Sequence, residues 1–272
     1  MIINILRKIR HGPLKFIAPI WITFGNIYRY FIKNYFSDST INMMINSYGP
    51  FRINRYFTFS NFENFGQGHN KCFDKCIELC EKKSCVIDVG AHIGLVTLPA
   101  SKVINDDGVI YAFEPGSVNR KYLLQHLKVN EISNVKVIDM LVGESDEENI
   151  AFYEYHDASG MNSAVNLNNN YSVTQKSQVS LDSFCDKNNL APDVIKMDIE
   201  GYEYFALKGA KNILEKYKPV VVLSYHPRHL KELSVNEEDF INLVHYMNYK
   251  IFDINDNVIN KLEFNEYILR KS

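Results

Sequence analysis

The chain has 272 residues, 46% hydrophobic and 23% charged, with a formal net charge of −2. This is an ordinary globular composition, enough for one or two domains. The charge balance gives no electrostatic case for a nucleic-acid partner.

The first 36 residues differ from the rest, with Arg7, Lys8, Arg10, Lys15, Arg29 and Lys33 and no acid. Phe16 to Tyr28 is uncharged but spans only thirteen residues, interrupted by Pro19 and Gly25. A spanning helix needs about 20 apolar residues, so a transmembrane segment is not expected. No small-x-small cleavage site follows the run, so neither is a secretory leader. A basic, aromatic segment of this kind suits peripheral contact with the anionic inner surface of a membrane. Packing on the domain, capping of an acceptor site, or a homo-oligomer contact is the alternative use. Residues 1–70 read as an N-terminal extension of short helices and irregular segments, and residues 71–272 as the catalytic domain.

Cys72, Cys76 and Cys80 fall at i, i+4 and i+8 of an expected helix, beside Phe73, Ile77 and Leu79. Their C-x3-C-x3-C spacing is not that of a radical iron–sulfur enzyme, and the three read as a core-facing stripe. With Cys85 and Cys185 they make an odd count, which points to reduced thiols and a cytoplasmic setting.

From Cys85 onward short apolar runs alternate with helical stretches, the pattern of βα units and a mostly parallel sheet. Strands are predicted over Cys85–Val89, Val109–Phe113, Val135–Leu141, Asp193–Met197 and Pro219–Ser224. Helices are predicted over Gly94–Val103, Val118–Asn130, Glu203–Lys216 and Asn236–Met247. Ile150–Tyr155 alternates as an added strand, and Tyr249–Ile254 and Phe264–Leu269 read as a closing antiparallel pair. The class is α/β, a doubly wound sheet with helices on both faces, whose ligands bind at the carboxyl ends of the strands near the switch point.

Four motifs sit at those ends. Asp88-Val89-Gly90-Ala91-His92-Ile93-Gly94 joins the first strand to a helix. No Gly-Lys-Ser/Thr follows, which removes a P-loop, and G-x-x-x-G is not the dinucleotide G-x-G-x-x-G. The spacing and the preceding acid suit a cofactor bearing an amino acid. Glu114 ends the next strand, 20 residues beyond Gly94, where a carboxylate can accept both hydroxyls of a ribose. In Val194-Ile195-Lys196-Met197-Asp198-Ile199-Glu200-Gly201, Asp198 and Glu200 can orient a substrate hydroxyl, act as a base, or help hold a divalent cation such as Mg²⁺. Glu200 can also be a simple helix-terminus acid. Ser224-Tyr225-His226-Pro227-Arg228-His229 follows the next strand and offers His226 as general base. Gly66 to Asn70, with His69 and Asn70, reads as a lid. Asp157 to Ser163, with Asn162 and Ser163, reads as part of an acceptor pocket, and His229 as a further substrate contact.

Val86 to Thr97, Tyr111 to Asn130 and Val194 to Ala210 together resemble the FkbM-type methyltransferases. The most specific piece is Ile195-Lys196-Met197-Asp198-Ile199-Glu200-Gly201, then Glu203, then Leu207-Lys208-Gly209-Ala210. The resemblance runs from about Phe65 to Arg228 and leaves the first 60 residues unmatched; Tyr202 stands where the family often has a small residue. It implies a Rossmann-like class I fold with seven strands, the last antiparallel. It also implies an S-adenosylmethionine-dependent O-methyltransferase of the kind that acts on macrolides and on sugars of surface glycans. The cofactor contacts it implies are Asp88, Gly90, Ala91, His92 and Gly94 for the methionine end and Glu114 for the ribose, with Asp198 beside them. Asp198, Glu200 and His226 are then expected around the acceptor hydroxyl, with His226 the base. A nicotinamide-dependent oxidoreductase and a non-catalytic cofactor-binding module are the competing functions; the glycine spacing disfavours the first and the intact loop the second.

Overall fold

The computed structural model describes residues 18–68, 70–166 and 171–272. A helix, α1 (Ala18–Tyr35), leads into a hairpin of β1 (Thr40–Ile45) and β2 (Tyr48–Asn54), and α2 (Phe73–Cys80) follows. The hairpin does not appear in the sequence reading of this segment as short helices and loops. Its signal is the alternation that buries Met43, Ile45, Phe51 and Ile53. These side chains share one hydrophobic cluster with Ile32 of α1 and with Val86, Leu98 and Ile110 farther along the chain. Cys72, Cys76 and Cys80 are buried, and all five cysteines are free thiols, as the stripe predicts.

The predicted βα units are then present, with differences at their ends, and the strand Ser172–Val179 and the helices Leu181–Asn188 and Pro227–Glu232 are additions to them. β3 (Cys85–Val89) is buried at every position, which its continuous apolar run requires. The predicted helix Gly94–Val103 shrinks to α3 (Thr97–Ala100), because Pro99 has no N–H to donate and the chain proceeds by turns. β4 (Val109–Phe113), α4 (Ser117–Val129) and β5 (Val135–Ile138) follow. The predicted strand Val135–Leu141 is split: β5 stops at Ile138, and β6 (Leu141–Val142) joins β7 (Glu147–Glu154) and β8 (Ser172–Val179) in a separate three-stranded sheet.

Next come α5 (Leu181–Asn188), β9 (Val194–Met197), α6 (Glu203–Lys208) and α7 (Lys211–Tyr217). One helix is predicted over Glu203–Lys216, but Gly209 interrupts it. A Cβ there would lie 2.0 Å from the Gly143 carbonyl, so the two backbones cross in contact. β10 (Val220–Tyr225), α8 (Pro227–Glu232), α9 (Glu237–Tyr246), β11 (Tyr249–Phe252) and β12 (Asn265–Lys271) complete the chain.

The main sheet has seven strands in the order β11-β12-β10-β9-β3-β4-β5, with β12 antiparallel to both of its neighbours and the other pairings parallel. Alternate residues of β3 serve opposite layers. Val86 packs with the hairpin cluster, while Ile87 and Val89 pack with α5, α6, α7 and α9. Strand order reverses between β3 and β9, and the switch point opens there.

Candidate active site

The carboxyl ends of β3, β4 and β9 frame a cleft of about 220 Å³. Its floor is a backbone crossing. Gly90 has φ +82°, and a Cβ on it would sit 1.9 Å from the Asp198 carbonyl oxygen, so only glycine fits. The N–H groups of Gly90 and Ala91 both donate to the Phe113 carbonyl, at 3.0 and 2.9 Å. His92 is held at φ +53°, which turns its own N–H toward Glu114. Gly90, Ala91 and His92 all line the cleft.

Asp88 and Gly94, expected beside the cofactor, do not line it. Asp88 is 1% exposed, and its carboxylate takes the Thr97 hydroxyl at 2.6 Å and the Lys196 ammonium at 3.2 Å. Lys196 also donates to the Gly90 carbonyl at 2.6 Å. Burial opposes its charge, but Asp88 and Asp198 outweigh that and hold its pKa above the ordinary lysine value. The pair is a brace under the loop. Gly94, at φ +97°, packs on Leu123 and Leu98 behind the loop.

Glu114 faces the cleft, 4% exposed. One carboxylate oxygen accepts the His92 N–H at 2.7 Å and the other the Gly116 N–H at 2.8 Å. Burial pushes its pKa up to about 7, against the pull of those N–H groups. Asn119 exchanges hydrogen bonds with Ser159, pinning the 157–163 loop over this side. Asn162 lines the cleft with a buried side-chain amide nitrogen that has no hydrogen-bond partner. Ser163 does not line it; its hydroxyl donates to the Glu200 carbonyl at 2.8 Å and ties the two loops together. Asn70 is in the wall beside Phe65 and Phe73, while His69 lies outside the described residues.

Across the cleft stand Asp198 and Glu200, both on its surface. Glu200 is at φ +52° and Gly201 at φ +99°, where a Cβ would fall 2.0 Å from His229 Cβ. Behind them, fully buried Glu203 accepts the N–H groups of Ile199 and Gly201 at 3.1 and 3.2 Å, and a bond of 2.8 Å links it to His226 Nδ1. The other ring nitrogen of His226 lies 3.7 Å from Asp198 and 3.6 Å from Glu200. His226 therefore stands behind the carboxylates, and its ring is not part of the cleft wall, contrary to its expected place as base. Burial lowers its pKa, but Glu203, Asp198 and Glu200 overcome that and raise it to about 10. An imidazolium at neutral pH accepts no proton. Glu200 is pushed up to about 7, chiefly by burial. His229 also stands back from the cleft, 3.7 Å from Glu200, with its pKa lowered to about 4 by burial and by the charge on His226.

Two residues escape the sequence reading. Glu203 looks like a helix-start acid, yet it organises the whole loop. Glu266, on β12, lines the cleft, accepts the Cys72 N–H at 2.7 Å and is pushed up to about 7 by burial. Its only signal is an acid opening an apolar strand.

A family model described as the methyltransferase FkbM domain matches residues 88–251. The chain belongs to that family. The match runs from Asp88 of β3 to β11, so it takes in Glu114 and the cluster around His226. Comparison with curated proteins gives no match. Among solved structures, the FkbM domain is similar to methyltransferase FkbM from Methylobacillus flagellatus KT, with 20% identity and TM-score 0.46. That alignment covers 70% of this chain and 44% of the other, so the chain spans less than half the length of that relative. It is also similar to precorrin-6y C5,15-methyltransferase from Geobacter metallireducens GS-15, with 13% identity, TM-score 0.42, and 75% and 89% of the two chains covered. A third similar structure is M. jannaschii TYW2 in complex with AdoMet, with 14% identity, TM-score 0.37, and coverage of 80% and 78%.

Proposed function

We propose that this FkbM domain transfers a methyl group from S-adenosylmethionine to a hydroxyl of a glycan or related small molecule. The observation that carries this is a single cleft with a glycine cradle and Glu114 on one side and two carboxylates, Asp198 and Glu200, on the other. The residues fit the cofactor. The Gly90 to His92 backbone lines the cleft, Glu114 offers a carboxylate for a ribose, and the Asn162 amide is an unused donor in the wall. S-adenosylmethionine supplies a methyl group on a sulfonium, and the electron pair of the broken bond returns to sulfur.

The chain's own work is positioning and proton removal. Gly90, Ala91 and Glu114 hold the donor, and the 157–163 loop closes over it. Holding an acceptor oxygen in line contributes several kcal/mol. Asp198 and Glu200 take the proton that a sugar hydroxyl sheds as its oxygen bonds the methyl carbon.

The reading is tested by binding and transfer. S-adenosylhomocysteine is expected to raise the melting temperature and NAD to leave it unchanged; the reverse result favours the oxidoreductase and overturns the proposal. Calorimetry on Glu114→Ala is expected to show weakened cofactor binding, and unchanged affinity removes Glu114 from the ribose site. Labelled-methyl transfer to glycan intermediates excludes a non-catalytic module.

An exposed face of α1 favours an acceptor presented at a membrane surface. Ile27, Phe31 and Tyr35 are more than half exposed along it, and Lys33 reaches Asp157 of the loop over the cleft at 3.3 Å. Among the described residues, no helix is long and apolar enough to cross a membrane. Contact is proposed as peripheral, through the exposed face of α1 and anionic lipid.

A further inference from the structure

We infer that Asp198, Glu200 and His226 form a divalent-cation site at the acceptor end of the cleft, with Glu203 orienting the imidazole; the inference deepens the proposed methyl transfer and rests on it for its role. One ligand atom from each of the three lies within 4.8 Å of the other two. His226 Nε2 is 3.7 Å from Asp198 Oδ1 and 3.6 Å from Glu200 Oε2, too far for hydrogen bonds. The donors converge without bonding one another. Ligands about 2.1 Å from a shared ion sit roughly 3.0–3.5 Å apart at octahedral or tetrahedral angles, so the imidazole already stands within tenths of an ångström of that spacing from each carboxylate.

The imidazole is the second, independent observation. His226 is 5% exposed, and its Nε2 makes no hydrogen bond among the described residues. Its Nδ1 donates to Glu203, which is itself fixed by two backbone N–H groups. A ligating histidine usually hands its other ring N–H to a carboxylate in this way, which orients the ring, and the cation takes the place of the Nε2 proton when it binds. The left-handed backbone at Glu200 and Gly201 turns the Glu200 carboxylate back toward the same point. His229 Nε2, 3.7 Å from Glu200 Oε2, stands close enough to reinforce the set.

Two carboxylates with an imidazole favour a first-row transition ion over Mg²⁺, which prefers all-oxygen sites and retains its waters. Manganese(II) suits the mixed set. An acceptor hydroxyl bound to such an ion loses its proton more easily, and that proton passes to solvent or to a carboxylate as the oxygen takes the methyl group.

The test is direct metal binding to full-length protein stripped with chelator, read by the loss of free Mn²⁺ signal in electron paramagnetic resonance. One ion per chain is expected. His226→Ala and Glu200→Gln should each weaken binding at least tenfold, and Glu203→Gln by about 10–100-fold through loss of orientation. Glu200 is on the cleft surface, so Glu200→Gln keeps the test valid if His226→Ala fails to fold. Absence of stoichiometric binding, or an affinity unchanged in Glu200→Gln, overturns the site. Melting shifts with S-adenosylhomocysteine on the same samples separate the readings. A shift without metal binding defeats only the cation site, and no shift defeats the proposed donor.

Discussion

Replacing Lys196 by Met tests the brace under the cofactor loop. The side chains of Asp88 and Lys196 are 2% and 10% exposed and 3.2 Å apart. Parallel pairing of β3 with β9 sets the two residues opposite one another. Met keeps most of the volume and removes the ammonium. Asp88 is left buried with Thr97 alone, and the Gly90 carbonyl loses its 2.6 Å donor. Removing one partner of a buried ion pair costs about 3–5 kcal/mol, because the other charge stays behind uncompensated. With a denaturation slope of about 3 kcal/mol per M urea, the midpoint should fall by roughly 1–1.7 M. The double variant Asp88→Asn/Lys196→Met removes both charges and should recover at least half of the loss. The assay is urea unfolding followed by far-ultraviolet circular dichroism. A single-variant midpoint within about 0.3 M of wild type, or a double variant that loses the sum, refutes the brace.

His126 bridges the hairpin and the cofactor loop: its Nε2 accepts the Asn54 N–H at 3.0 Å, and its Nδ1 bonds the Ile93 carbonyl at 2.9 Å. Burial lowers its pKa from 6.5 to about 4, against the pull of the Ile93 carbonyl. The unfolded chain thus binds this proton first, so the stability due to neutral His126 is full above pH 6.5 and is lost as pH falls toward 4. His126→Gln should flatten the stability curve in that window by about 1.4 kcal/mol per pH unit relative to wild type, and parallel curves would contradict it. Gly201→Ala places a methyl 2.0 Å from His229 Cβ at φ +99°. A cost of about 2 kcal/mol or more is expected, near 4–8 °C in melting temperature, with loss of methyl transfer; an unchanged melting temperature would show that the turn relaxes. Phe31→Ser with Tyr35→Ser alters only exposed positions of α1. Co-sedimentation with anionic vesicles should drop while stability holds, and undiminished sedimentation would dispose of the membrane contact.

Much of this fold is written locally. The apolar run Cys85–Val89 reads as a strand buried on both faces, and the glycine turn after it as a place where the backbone can be approached closely, here by the Asp198 carbonyl. Glu114, one βα unit later, takes its position from the same repeat. Local periodicity also put Cys72, Cys76 and Cys80 inside. Where the reading failed, a competing local feature or a distant partner decided. Pro99 shortened a helix from within, whereas Gly209 broke one because the Gly143 backbone passes over it.

The site's chemistry lay farther from the sequence. Asp88 looked like a cofactor ligand because nothing in its own segment says that Lys196, 108 positions on, will sit beside it. His226 looked like a base because its distance from Glu203 and from both carboxylates is unknown until β10 takes its place next to β9. Period and propensity act within a few residues, so the sequence alone determines which segments become the strands of the main sheet, though not every one of their ends. The order of those strands comes from burying both faces of one sheet at once. That packing of the whole chain decided which charges meet, which are spent in bracing a loop, and which remain free to meet a substrate.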